Sequence, residues 1–158
     1  MEKVPVFWRY VIVMLISMVP IIELRGSVPI GIGWGLEAVP TYLLCVLGNF
    51  IPVPFILLFV RSMLKFMLRV KWLAPIAEWV QAKADKHSGA ITKYATFGLF
   101  LFVAIPLPGT GAWTGSLVAA LLNMKMKYAL ISVFLGIVTA GLIMTLGSEL
   151  VALIMAQF

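Results

Sequence analysis

Two apolar runs, Val39–Val60 and Tyr128–Met155, are each long enough to cross a lipid bilayer. A crossing helix needs about 20 apolar residues at 1.5 Å rise each. Inside lipid every backbone polar group must find a partner within the protein, which leaves helices as the form for isolated runs of this kind. The rest of the chain is nearly as apolar. It is 63% hydrophobic and 11% charged, where soluble domains run at about 45–50% and about 25%. A chain of 158 residues has too little interior to hide that much apolar surface. The fold class is therefore an all-α integral membrane protein, multi-pass in the cell membrane. Pro52 and Pro54 are expected to kink the first long run.

The other apolar pieces are too short to span. Phe7–Ile22 ends at "PIIELRGSVPIGIGWG", and Tyr94–Asn123 is interrupted at "IPLPGTGAWTG". Both interruptions are rich in Pro and Gly. Arms of 12 residues, such as Tyr94–Ile105 and Ala112–Asn123, reach about 18 Å, a little past the bilayer midplane. They suit re-entrant helical hairpins that enter, turn and return. Backbone exposed at that depth must be buried in protein or line a watery cavity. Phe7–Ile22 as a full crossing, with the N-terminus on the cytoplasmic side, is the alternative reading.

This yields three regions. Residues 1–60 form repeat 1, with a hairpin over 7–37 and a transmembrane helix over 39–60. Residues 61–93 form a linker. Residues 94–158 form repeat 2, with a hairpin over 94–123 and a transmembrane helix over 128–155. The linker carries seven Lys/Arg against Glu78 and Asp85. Trp72, Ile76 and Trp79 share a helical face, Pro75 suits a first turn and Gly89 a stop, so the linker reads as amphipathic and interfacial. Its positive charge places it on the cytoplasmic side, with Lys125 and Lys127 emerging on the same side. The two repeats are then inverted relative to each other, and Lys3 and Arg9 fall outside. Laid together, Arg25-Gly26-Ser27 matches Pro108-Gly109-Thr110.

Inverted repeats with broken helices are a transporter design in which exposed helix ends bind charged groups near the midplane. The substrate-binding candidates are Arg25, Gly26, Ser27, Pro108, Gly109, Thr110 and Gly111. Ser27 and Thr110 suit N-caps or direct ligands, and the glycines allow close approach of backbone. An ionisable group at such depth is a functional candidate by default. Arg25 suits a phosphate or carboxylate clamp; equally, Glu23 and Arg25 can neutralise each other and hold the hairpin shut. Glu23 and Glu149 are the proton-coupling candidates, with Glu149 near the end of its run. Glu37 suits the membrane surface, and Trp34 and Trp113 suit belt anchoring or packing. Gly136, Gly141 and Gly147 are candidate contacts of a homodimer or higher homo-oligomer.

Other chemistries have little to stand on. Cys45 is the lone cysteine and suits a small packing residue. His87 is the lone histidine in a basic segment and suits solvated surface. With no Cys/His cluster, phosphate loop or hydrolase elbow, neither an enzyme, a metal site nor a cofactor is expected. The net charge of +6 fits cytoplasmic loops of a membrane protein rather than nucleic-acid binding. The N-terminal run resembles a signal peptide but lacks a small-x-small cleavage site, and reads as a retained segment.

The pair "ELRGSVPIGIGWGL" and "IPLPGTGAWTGSLVAALLNM" resembles the small multi-drug export protein family of prokaryotes, from about Phe7 to Leu150. More distantly, the plan of two hairpins each followed by a span is similar to DedA membrane proteins. That resemblance implies movement of polyprenyl-phosphate or other lipids, with Glu23 and Arg25 as the acid and base of the first hairpin. The second-hairpin arginine of DedA proteins has no counterpart in "PLPGTGAW". The expected function is a small secondary transporter or lipid translocase, proton-coupled. It would bind an amphipathic anion of the polyprenyl or lipid phosphate class at the broken hairpins, with membrane lipids as partners. The rivals are an exporter of hydrophobic cations using Glu23 or Glu149, and a non-transporting scaffold whose linker recruits anionic lipid.

Overall fold

The computed structural model describes residues 4–69, 75, 78, 88–107 and 109–157. Among them are seven helices and no strand: α1 (Val6–Ser17), α2 (Glu23–Gly33), α3 (Ala38–Phe50), α4 (Pro52–Arg69), α5 (Ser88–Ala104), α6 (Ala112–Leu121) and α7 (Met126–Met155). Pro108, His87, Trp72, Ile76, Trp79 and about half of the predicted linker lie outside the described residues.

Two helical stretches are long and apolar enough to cross a membrane. One is α3 with α4, Ala38–Met67; the other is α7. The run is interrupted at Ile51 alone, and Pro52 starts α4 in the first-turn position that needs no N–H. α4 runs past the predicted end of the span, to Arg69. Arg61, Lys65 and Arg69 recur every fourth residue, so their charges share one stripe while Leu64 is buried. Nothing in that segment breaks a helix. The outward faces of the long helices are oily: Phe55 and Phe59 are 68% exposed, and Leu146 is 63% exposed. That is the pattern of a surface meant for lipid.

The two short return helices end alike. After α2, Gly35 turns left-handed with φ +74°. Its N–H bonds Ile32 O at 2.9 Å, and the Leu36 N–H bonds Gly31 O at 3.1 Å. After α6, Asn123 turns left-handed with φ +50°. Its N–H bonds Ala120 O at 3.1 Å, and the Met124 N–H bonds Ala119 O at 3.0 Å. Both are the paired-bond helix stop that glycine and asparagine tolerate best. Two residues on, Glu37 and Lys125 are extended and start α3 and α7. The backbone thus pairs residue 37 with 125.

That register corrects the sequence alignment, which pairs 25 with 108. "RGS" lies inside α2, not in a turn, and the first break covers Met18–Ile22. Pro20 explains the shift: it has no N–H and disfavours helix in the residue before it.

The halves interlock. α2 and α3 pack on α7, while α4 packs on α6. Val13, Leu24, Val28, Val133 and Ile137 form the centre of the core. Glycines of α7 let neighbouring helices come close: a Cβ on Gly136 would sit 2.6 Å from Val103 Cβ on α5, and one on Gly141 would sit 2.9 Å from the Tyr42 ring on α3. These two glycines therefore pack within the chain and are not free for a partner subunit, contrary to the sequence expectation. A Cβ on Gly147 would meet open space.

Candidate functional site

Each break leaves helix ends whose backbone groups need partners. At the second break Pro106 has no N–H to offer Phe102 O, four residues back. The Leu107 N–H, which would serve Val103 O, turns to Ile105 O at 2.8 Å instead. Carbonyls at the end of α5 are therefore open, and Arg25 fills the gap from α2. Its Nη2 donates to Ile105 O at 3.2 Å, to Val103 O at 3.5 Å and to Thr110 Oγ1 at 2.9 Å, and its Nη1 donates to Leu107 O. The Thr110 hydroxyl lies against the same Ile105 and Leu107 carbonyls, at 2.9 Å from each. A cation at a helix C-terminus is also favoured by the helix dipole.

Glu23 does the converse. α6 begins after Gly111, which has no side chain to cap it. The Trp113 N–H donates to Glu23 Oε1 at 3.1 Å, and the Ala112 N–H also points at this carboxylate. An acid thus caps the positive end of a helix from the other half of the chain. Glu23 is 5% exposed, and its backbone is left-handed at φ +49°. A non-glycine residue in that conformation is uncommon, and such strain gathers at functional sites. The Trp113 indole Nε1 completes the exchange by donating to Met18 O at 3.1 Å, at the end of α1.

The two breaks enclose a cleft of about 550 Å³, lined by Pro20, Glu23, Arg25, Leu107, Thr110 and Thr114 among others. Of the predicted site residues, Glu23, Arg25, Gly26, Gly109 and Thr110 line it, and Gly111 backs directly onto Glu23. Ser27 does not join them. It is buried within α2 and donates to Cys45 Sγ at 3.2 Å, so it is neither a cap nor a cleft ligand. Thr110 does not cap α6 either, because its hydroxyl faces the α5 carbonyls. Glu149 is exposed near the end of α7, away from the cleft lining. Cys45 is buried, as its packing role requires. Among the described residues no three His, Cys, Asp or Glu side chains gather to hold a metal ion.

Trp113 and the carbonyls of Met18 and Val103 were not legible as site members. The one signal nearby is Pro106, which breaks α5 and leaves carbonyls at its end to be satisfied elsewhere.

No curated protein and no solved structure matches the chain. A family model described as "Putative small multi-drug export protein" matches residues 23–143, most of the chain and the second break. The match begins at Glu23 and takes in Arg25, Thr110 and Trp113, and the chain belongs to this small multi-drug export protein family.

Proposed function

We propose that this protein exports small hydrophobic cations across the cell membrane, with the cleft between the two breaks as the substrate path and Glu23 as the recognising charge. The observation that carries this reading is the use of the Arg25 donors. Its guanidinium is engaged by Val103, Ile105, Leu107 and Thr110, which leaves it poorly placed to clamp a phosphate. Glu23 lines the same cleft and is held by backbone N–H groups. A hydrophobic cation entering the cleft meets a carboxylate in a largely apolar wall, the setting in which one charge pair is worth most. Protonation of Glu23 would release the cation and slacken the cap on α6 together, coupling export to a proton.

In this reading the α1–α2 and α5–α6 pairs are re-entrant hairpins of two inverted repeats, and the linker is cytoplasmic. The repeated helix stop at Gly35 and Asn123 and the basic stripe on α4 support it. The lipid-phosphate reading draws on a single point, that Arg25 lines the cleft.

Transport into vesicles of purified wild type, Glu23→Gln and Arg25→Ala discriminates the two. Tetraphenylphosphonium and a polyprenyl phosphate serve as probes. Cation transport that is lost in Glu23→Gln supports the export reading. Phosphate transport lost in Arg25→Ala, with cation transport absent from wild type, replaces it with the anion reading. Activity in neither assay with intact folded protein favours the scaffold.

A further inference from the structure

A second groove, of about 640 Å³, runs between α5 and α7 and shares no lining residue with the cleft. Its walls are Phe97, Phe100, Ile131 and Leu135, and Lys125 and Tyr128 line its end at the start of α7. Phe97 is 60% exposed and Leu135 is 48% exposed, so the groove opens outward, where the bilayer would lie.

Three features give it chemistry. Lys125 is the residue from which α7 starts, and its side chain makes no capping bond. The first N–H groups of α7 lack helical partners, and the end of a 30-residue helix is positive. Ser132, two turns further in, is 1% exposed, lines the groove, and its Oγ has no hydrogen-bond partner. Hydroxyls on membrane helices ordinarily bond back to the carbonyl four residues earlier. Thr139 and Thr145 on this same helix do so, to Leu135 O at 2.9 Å and Gly141 O at 2.8 Å. Ser132 does not.

From the start of α7 inward, the groove therefore offers a cation, then an aromatic ring, then one unspent hydroxyl, between apolar walls. The spacing from Lys125 to Ser132 is about 10 Å along the helix. That is the order of groups along a phospholipid: charged phosphate, ester, hydrocarbon. We propose that this groove binds one anionic phospholipid of the surrounding membrane. Lys125 and the α7 N-terminus hold the phosphate, Ser132 donates to an ester carbonyl, and Phe97, Phe100, Ile131 and Leu135 hold a chain. Arg61 of α4 donates to Met124 O and so anchors the residue before Lys125. This inference does not depend on what the cleft transports.

Native mass spectrometry of the full chain in detergent tests it, with added phosphatidylglycerol, phosphatidylcholine and glycerol phosphate. Wild type should retain one phosphatidylglycerol. Lys125→Ala should weaken that retention about fivefold, the worth of one lysine at an anionic surface. Lys127→Ala removes another exposed charge, one outside the groove lining, and should change little. Leu135→Trp should fill the groove and exclude the lipid. Equal retention of the two lipids would overturn the proposal. So would an equal effect of the two lysine variants, since diffuse attraction then suffices. Displacement of the lipid by glycerol phosphate alone would show a free-anion site, and would also overturn it. Lys125 is an exposed residue, so its variant folds and decides the matter even where the tryptophan variant does not.

Discussion

The Glu23 carboxylate occupies the space that a side chain at residue 111 would need: a Cβ built on Gly111 falls 2.1 Å from Glu23 Oε2. The backbone there is extended, at φ 165°, so any residue could adopt it. Space alone demands glycine. Gly111→Ala should therefore drive Glu23 off the α6 N-terminus and cost about 1–3 kcal/mol by overpacking and a lost cap. In the Glu23→Ala background the same substitution should cost much less, because the clash is gone. Thermal unfolding of the four proteins in detergent gives the coupling; additive costs would contradict this geometry.

Arg25 serves four acceptors spread over Val103 to Thr110. A lysine keeps the charge but cannot fork across them. Arg25→Lys should lower stability by about 2 kcal/mol, a typical loss for bonds made by a charged donor. A Tm equal to wild type would mean that charge, not the fork, secures the second break.

The Trp113 ring is part-buried, and its indole N–H caps α1 at Met18 O. Trp113→Phe keeps most of the packing and removes the donor. It should cost about 1 kcal/mol and raise hydrogen exchange at the last turn of α1. Exchange unchanged there would remove Trp113 from the set of links between the halves.

Gly136→Val should destabilise the monomer by more than about 1 kcal/mol, because α5 lies against it. Gly147→Val meets open space and should stay within about 0.5 kcal/mol. Its informative readout is size in detergent. An oligomer that dissociates only in Gly147→Val would locate a subunit contact on that face.

The charges at 23 and 25 stood out because they interrupt apolar sequence, and the long spans because their length is set by the bilayer. The partners of those charges were illegible. Arg25 bonds mostly to backbone carbonyls, which every residue possesses and no letter marks. Only Pro106 hinted that carbonyls there go unserved. "RGS" and "PGT" look alike as letters, while the likeness in backbone shape falls at Gly35 and Asn123. Ser27 was misplaced for the same reason. A turn-forming residue type sat in a helix, because Pro20 had already ended the previous one.

The reciprocal caps have a consequence for biosynthesis. Glu23 and its partner Trp113 are 90 residues apart, and Arg25 and Leu107 are 82 apart. At translation rates of about 5–20 residues per second, the first half waits roughly 4–18 s for the groups that complete it. During that interval Glu23 and Arg25 lack the partners that residues 103–113 supply. The backbone partners that hold both side chains in the finished fold arrive only with the second half. A chain stopped before Leu107 would carry that pair without the carbonyls and N–H groups that satisfy it.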